Sequence, residues 1–142
     1  MHSVRDLKNR FVLASLVLTA CAPVATAPPA DQSAPPAGQV FFTAERLSSG
    51  AIRLALDNGS PEMIGYNLCH SQLQRRTAAG WTQVPSDEVC TMELRTLNPG
   101  HDATFEKRLP AGLPAGEYRY ITNVESPLGT AQTGVATAPF RV

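Results

Sequence analysis

The sequence predicts an all-β domain, built as a two-sheet antiparallel β-sandwich of seven or eight strands. Apolar and polar residues alternate in short runs, turn-forming residues separate these runs, and no long stretch places apolar residues at helical spacing. Short strands repeated roughly every 8 to 12 residues are typical of a sandwich. A small closed barrel is the alternative. The predicted domain spans residues 39–142 of the 142-residue chain.

Four strands are predicted in the first half of this domain. Residues 40–44 form an apolar run, and residues 51–57 alternate apolar and polar side chains, which indicates one buried face. The turn-forming sequence Asn58-Gly59-Ser60-Pro61 precedes a longer strand over residues 64–74. A fourth strand is predicted at residues 81–84.

The second half contains four further predicted strands, at residues 89–97, 104–109, 117–124 and 133–142. Asn98-Pro99-Gly100 suits a tight turn, with Pro99 at its first corner and Gly100 free to take a positive φ. Pro139 has no amide hydrogen to donate, so the last strand is expected at a sheet edge or with a bulge.

Residues 1–20 have the charge and hydropathy pattern of an export signal. Arg5, Lys8 and Arg10 precede an uncharged apolar run at residues 11–20. This run is shorter than the roughly 20 residues that a helix needs to span a bilayer. We therefore predict a signal peptide that is removed from the mature protein.

The sequence Leu18-Thr19-Ala20-Cys21 resembles the lipobox of bacterial lipoproteins. The resemblance implies that Cys21 carries diacylglycerol, that the chain is cut before it, and that acyl chains such as palmitate anchor the protein in a membrane. A secreted protein cut at a small-residue site is the alternative. Because Ala22 replaces the aspartate that favours inner-membrane retention, the resemblance implies an outer-membrane location facing the periplasm in an organism with two membranes.

Residues 21–38 are predicted to be the lipid-bearing cysteine followed by a disordered tether. Eleven of the seventeen residues after Cys21 are Pro or Ala, so this stretch cannot bury enough apolar surface to fold. An extended chain at about 3.1 Å per residue would reach roughly 50 Å. A proline-rich ligand for a partner domain is the alternative.

Net charge argues against a nucleic-acid partner. The chain has 12 basic and 12 acidic residues, and removal of residues 1–20 leaves 9 basic and 11 acidic, a net charge of −2 with no basic run.

Cys69 and Cys90 are predicted to form a disulfide. They are the cysteines left once Cys21 is assigned to lipid, and an exported protein meets an oxidising compartment. The bridge would contribute roughly 3 kcal/mol in the chain-entropy model. Trp81, which lies between the two cysteines, is expected to pack on the bridge.

Residues 54–119 resemble bacterial immunoglobulin-like domains of exported lipoproteins. The matching segments are Tyr66-Asn67-Leu68-Cys69, Gly80-Trp81, Cys90, Leu97-Asn98-Pro99-Gly100 and residues 113–119. The resemblance implies an immunoglobulin-like sandwich in which Gly116 forms a positive-φ corner and the Tyr118 hydroxyl bonds nearby backbone. Small bacterial proteinase inhibitors use the same scaffold, so the resemblance leaves the activity open.

The sequence predicts no enzyme, no cofactor and no metal site. A catalytic triad would need Ser71, either His70 or His101, and an acid such as Asp102. His70 and Ser71, however, would point to opposite faces of a strand, and the sequence contains no G-x-S-x-G motif. A metal site formed by Cys69, His70, Cys90 and His101 would need reduced thiols. Isolated Met63 and Met92 are interpreted as core residues.

Two surface features are candidate partner contacts. Arg46, Arg53, Arg75, Arg76 and Arg119 could form a basic stripe, but interspersed glutamates favour a mixed-charge face. The loop around residues 109–114 is a candidate protein contact, or else a stiff cap on the sandwich.

The expected function is a non-enzymatic binding or accessory module of the cell envelope, with an unidentified envelope partner and no small-molecule substrate. The alternative is a proteinase inhibitor. An inhibitor requires a rigid, convex loop, whereas an accessory module is expected to present a flat apolar patch or an open sheet edge.

Overall fold

The structure, a computed structural model, describes residues 37–142 and confirms the predicted all-β sandwich. Its strands form two antiparallel sheets, an arrangement consistent with an immunoglobulin-like domain. Within residues 37–142 no helix is long and apolar enough to cross a membrane. The strands are β1 (Val40–Arg46), β2 (Ala51–Asn58), β3 (Ile64–Tyr66), β4 (Gln72–Thr77), β5 (Gly80–Gln83), β6 (Arg95–Leu97), β7 (Asp102–Arg108), β8 (Glu117–Glu125), β9 (Gln132–Ala136) and β10 (Phe140–Arg141).

Each sheet is organised around one central strand. In the first sheet, β2 lies between β1 and β7. In the second sheet, β8 pairs with β3 and β4 along one side and with β9 and β10 along the other. Strand β6 then pairs with β3, and β5 pairs with β4. Strands β3 and β4 therefore lie one after the other along one side of β8, and β9 and β10 lie one after the other along its other side.

The predicted continuous strand over residues 64–74 is wrong in its centre, where Leu68–His70 form a 3-10 turn. Tyr66 lies opposite Val124, and Gln72 lies opposite Ile121, so five residues of this path face two residues of β8. The side chain of Asn67 caps the turn by accepting a hydrogen bond from the amide of Cys69 at 3.1 Å. The strand consequently carries a large bulge next to β8.

The last predicted strand is interrupted at residues 137–139, between β9 and β10. Thr137 makes the hydrogen bonds to β8 at this break. Its amide donates to the Tyr120 carbonyl at 2.9 Å, and its hydroxyl accepts from the Tyr120 amide at 3.1 Å. Pro139 lies in this break, on a path that pairs only with β8. This position is compatible with a residue that has no amide hydrogen to donate to a neighbouring strand.

The core is formed by the alternating inward faces of both sheets. Burial of these side chains from water is the main stabilising contribution. Tyr118 and Tyr120 of β8 both stack against Phe140, which closes the core beside β10. The buried apolar residues are Phe42, Ile52, Leu54, Leu56, Ile64, Tyr66, Leu68, Leu73, Leu97, Tyr118, Tyr120 and Val124.

The buried side chain of Asn58 organises one end of the sandwich. Its Nδ2 donates to the carbonyls of Glu62, at 2.8 Å, and Leu97, at 3.0 Å. Its Oδ1 accepts from the amide of Ser60 at 3.1 Å and from the hydroxyl of Ser60 at 2.6 Å. All of its hydrogen-bonding capacity is thus used between β2, the following turn and β6.

The turn at residues 98–101 lies against the backbone of Asn58. Gly100 has a φ of 73°, and the amide of His101 donates to the carbonyl of Asn98 at 3.2 Å. With Pro99 at the first corner, this is the geometry of a type II turn. The amide of Gly100 donates to the carbonyl of Asn58 at 2.7 Å, which fixes the turn before β7.

Candidate functional site: the exposed segment at residues 84–94

Residues 84–94, here called the exposed segment, join β5 to β6 without belonging to either sheet. The sequence predicted a strand over residues 89–97, but only Arg95–Leu97 form one. Val89 and Met92 are 95% and 89% exposed, the highest values among the exposed large apolar residues of the described chain. The prediction that Met92 and Met63 are core residues is wrong, since Met63 is also exposed.

A disulfide ties the exposed segment to the bulge between β3 and β4. Cys69, in the 3-10 turn, is bonded to Cys90, and their Cα atoms lie 5.7 Å apart. The predicted pairing of these cysteines is therefore present. Because Cys69 belongs to the bulge, the bridge holds the segment at the side of the second sheet.

Side chains of the bulge also bind the backbone of the exposed segment. The Nδ2 atom of Asn67 donates to the carbonyls of Thr91, at 2.9 Å, and Glu93, at 2.8 Å. The Nε2 atom of His70 lies 3.0 Å from the same Thr91 carbonyl, and acts as a donor to it. These carbonyls are satisfied by side chains instead of a neighbouring strand, which explains why the alternating sequence does not form a strand here.

Lys107 of β7 fixes the start of the segment from the opposite sheet. Its side chain is 7% exposed, and its Nζ donates to the carbonyls of Cys69 at 2.6 Å and Ser71 at 2.9 Å and to the carboxylate of Glu88 at 2.5 Å. Three acceptors compensate the cost of burying the ammonium group. Burial raises the pKa of the neighbouring Tyr120 to about 12, and the negative charge of Glu88 contributes to the rise.

Several clefts flank the exposed segment, and two of them have Met92 or Val89 in their lining. The first, of about 330 Å³, has Asn123 and Glu125 of β8 in its lining and residues 92–94 along one side. The second, of about 210 Å³, has Val89 and Phe105 of β7 in its lining. The segment is therefore a ridge with Val89 and Met92 exposed on it, supported by polar and covalent contacts.

The structure does not assemble the candidate catalytic or metal-binding residues. His70 is exposed in the 3-10 turn and Ser71 is buried, so the predicted placement of both on a strand is wrong. His101 lies in the turn before β7. Within residues 37–142, the one group of three or more ligand-type side chains within 4.8 Å of one another is Cys69, Glu88 and Cys90, whose two sulfur atoms are joined in the disulfide.

The corner at Tyr118 differs in part from the prediction. The Tyr118 hydroxyl donates to the carbonyl of Pro114 at 2.6 Å. Gly116, however, does not have the predicted positive φ; Gly112 does, at 71°. Gly116 instead permits a close approach, since a Cβ there would lie 3.3 Å from the Arg75 side chain. It also exchanges two backbone hydrogen bonds of 3.0 Å with Val142.

The loop at residues 109–114 packs inward. Leu109 and Leu113 are partly buried against the core. This observation favours the interpretation of the loop as a stiff cap over its interpretation as a protein contact.

The outer face of the first sheet has mixed charge, with more carboxylates than basic side chains. Arg53 lies between Glu45, at 3.7 Å, and Glu106, at 3.3 Å. Asp57 and Asp102 occupy opposite positions on β2 and β7. Burial, together with the charge of Asp102, raises the pKa of Asp57.

The outer face of the second sheet holds Trp81 beside two arginines. The guanidinium carbons of Arg119 and Arg76 lie 4.4 and 5.4 Å from the centre of the indole ring. Arg119 also donates to Gln74 at 2.9 Å, and Arg76 lies 4.0 Å from Glu117. The contacts found for Trp81 are with these arginines rather than with the disulfide, and the arginines are distributed over both sheets instead of forming a stripe.

The predicted signal peptide, Cys21 and most of the predicted tether lie outside the described residues. No protein-family model matches the chain, and no curated protein matches it.

Proposed function

We propose that the protein is a lipid-anchored module of the cell envelope that binds another envelope protein through the exposed segment and catalyses no reaction. Lipid on Cys21 attaches it to a membrane, outer and periplasm-facing where the organism has two, and residues 22–38 hold the immunoglobulin-like domain away from that surface. The proposed ligand is a protein surface, and the module needs no cofactor.

The observation that carries the proposal is the combination of exposed apolar side chains and a fixed backbone. Val89 and Met92 are almost fully exposed, although burial would stabilise both. The disulfide, Asn67 and Lys107 hold the surrounding backbone. A fixed segment loses little conformational entropy on binding, so its exposed apolar area contributes more fully to affinity.

The membrane attachment is supported by the lipobox-like Leu18-Thr19-Ala20-Cys21 and is tested by fractionation. The Cys21→Ser variant is expected in the soluble fraction, whereas the wild-type chain is expected in the membrane fraction. A double variant that retains Cys21 but carries Ser at positions 69 and 90 controls for a general effect of cysteine loss. Membrane retention of Cys21→Ser would contradict the lipid anchor.

The binding surface is tested by site-specific photo-crosslinking in the native envelope. A photoreactive amino acid at position 92 is expected to give a discrete adduct with another protein. The matched control position is Thr43, which is exposed on β1 in the other sheet. Equal adducts from both positions, or none from position 92, would argue against the exposed segment as the contact.

A proteinase inhibitor is the second candidate, favoured by the same fixed ridge. Such an inhibitor would present Val89 or Met92 to a specificity pocket of the enzyme while the disulfide prevents release of the segment. Addition of the purified protein to serine proteinases with apolar specificity is expected to lower their activity stoichiometrically if this candidate holds. Rapid cleavage of the segment without inhibition would contradict it.

A further inference from the structure

The first cleft beside the exposed segment originates in the broken strand. Because residues 67–71 bulge away from β8, the outward side chain of Asn123 loses its cross-strand neighbour on that side. The bulge also places Asn67 and His70 where they hold residues 91–93 above the sheet. The cleft is thus bounded by β8 and by a wall whose backbone is fixed.

Besides Asn67, three carboxamides line this cleft, on three different strands: Gln72 of β4, Asn123 of β8 and Gln132 of β9. None of the hydrogen bonds found within residues 37–142 uses these three side-chain amides, in contrast to Asn58 and Asn67, whose amides are bonded on both atoms. Each therefore offers one acceptor oxygen and two donor hydrogens to a ligand.

The charge of the cleft is negative. Glu93 and Glu125 line it, and no lysine or arginine does. Glu125 accepts a hydrogen bond from the amide of Gly129 at 3.0 Å, and Glu93 lies 3.7 Å from the exposed Arg95. Exposed ion pairs of this kind contribute little free energy, so a cationic ligand can replace Arg95 as the partner of Glu93. Met92 and Leu94 add apolar side chains to the lining.

These features match one type of occupant. A guanidinium group has five donors and a positive charge, which fit two carboxylates and several amide oxygens. Its three-methylene stem packs well on Met and Leu side chains. A volume of about 330 Å³ is near the lower limit of the roughly 300 to 1,000 Å³ typical of small-ligand sites.

Resting on the proposed function, in which a protein partner covers Met92, we infer that the first cleft is the receptor for an arginine side chain of that partner. Met92 contributes to both the ridge and the wall of the cleft, so a partner that covers the ridge reaches the cleft directly. The carboxylates supply charge complementarity, and the three free carboxamides fix the orientation of the guanidinium.

The test uses the full ¹⁵N-labelled chain in detergent micelles and the probe peptide acetyl-Gly-Arg-Gly-amide. Saturable shifts are expected in the side-chain amide signals of Gln72, Asn123 and Gln132. The citrulline peptide, which has the same shape without the charge, is expected to bind about tenfold more weakly, since a charge-assisted bond is lost. The Glu93→Gln/Glu125→Gln variant is expected to bind the arginine peptide more weakly by a similar factor.

The matched control is Glu45→Gln/Glu106→Gln, which removes two carboxylates from the outer face of the first sheet and should leave binding unchanged. Equal binding of the citrulline peptide, unchanged binding to Glu93→Gln/Glu125→Gln, or shifts confined to other residues would overturn the arginine site. Crosslinking at position 92 without peptide binding would contradict the arginine site and leave the proposed protein contact standing. Peptide binding without any crosslink would contradict the protein contact and leave the arginine site standing.

Discussion

The exposed segment at residues 84–94 and the loop at residues 109–116 are both irregular, proline-containing connections, but they are held in opposite ways. The loop is held by its apolar side chains, because Leu109 and Leu113 pack on the core. The exposed segment packs on the core through Val84 at its start. Beyond Val84 it is held by hydrogen bonds to its backbone, by the ion pair between Lys107 and Glu88 and by one covalent bond, while Val89 and Met92 face solvent.

This difference separates a structural connection from a presented surface. Apolar side chains that contribute to folding are buried and unavailable to a partner. Polar and covalent anchors release the apolar side chains from that role, so they remain available for binding. Substitutions in the two regions should therefore affect stability through different groups.

The largest effect is expected from loss of the disulfide. The Cys69→Ala/Cys90→Ala variant should lower the free energy of unfolding by about 3 kcal/mol, since the bridge no longer restricts the unfolded chain. Urea unfolding measures this change. Hydrogen exchange should increase first at residues 84–94 and not at residues 109–116; a uniform increase would contradict the proposed anchoring.

Loss of the buried ammonium group is expected to have the next largest effect. Lys107→Met should lower the free energy of unfolding by about 2 kcal/mol, because the carbonyls of Cys69 and Ser71 lose their donor and Glu88 loses its counter-charge. Urea unfolding again gives the value. Arg108→Met, at the neighbouring exposed position of β7, is the control and should change stability by less than about 0.5 kcal/mol.

A smaller effect is expected in the loop at residues 109–116. Tyr118→Phe removes the hydroxyl that donates to Pro114 and should cost about 1 kcal/mol. Thermal unfolding of this variant and of Tyr120→Phe, whose hydroxyl has no hydrogen bond among those found in residues 37–142, separates the bond from general loss of a phenol. Equal losses in the two variants would contradict the assigned role.

The smallest effect on stability is expected in the exposed segment itself. Val89→Ser/Met92→Ser should change the free energy of unfolding by less than about 0.5 kcal/mol, since both side chains are already in water. The same replacement at the partly buried Leu113 should cost about 1 kcal/mol. A large loss from the double serine variant would show that these residues support the fold.

Sequence periodicity predicted most of the sandwich, because strands such as β2 and β8 bury one face and expose the other. It failed at residues 67–71 and 89–94, where long-range contacts override local preference. The carbonyls of Thr91 and Glu93 are bonded by Asn67, more than twenty residues earlier in the chain. An alternating run gives no sign of such partners, so the sequence predicts Met92 in the core and gives no indication of the bulge.

The bonding of Asn58 also has a consequence for chemical ageing. Asn58 is followed by Gly59, and an asparagine side chain next to glycine deamidates when the backbone nitrogen of the glycine attacks it. In the folded domain both atoms of the carboxamide are bonded, to Glu62 and Leu97 on one side and to Ser60 on the other. The fold thus protects this position, whereas deamidation of the unfolded chain would introduce a carboxylate that cannot donate to the carbonyls of Glu62 and Leu97.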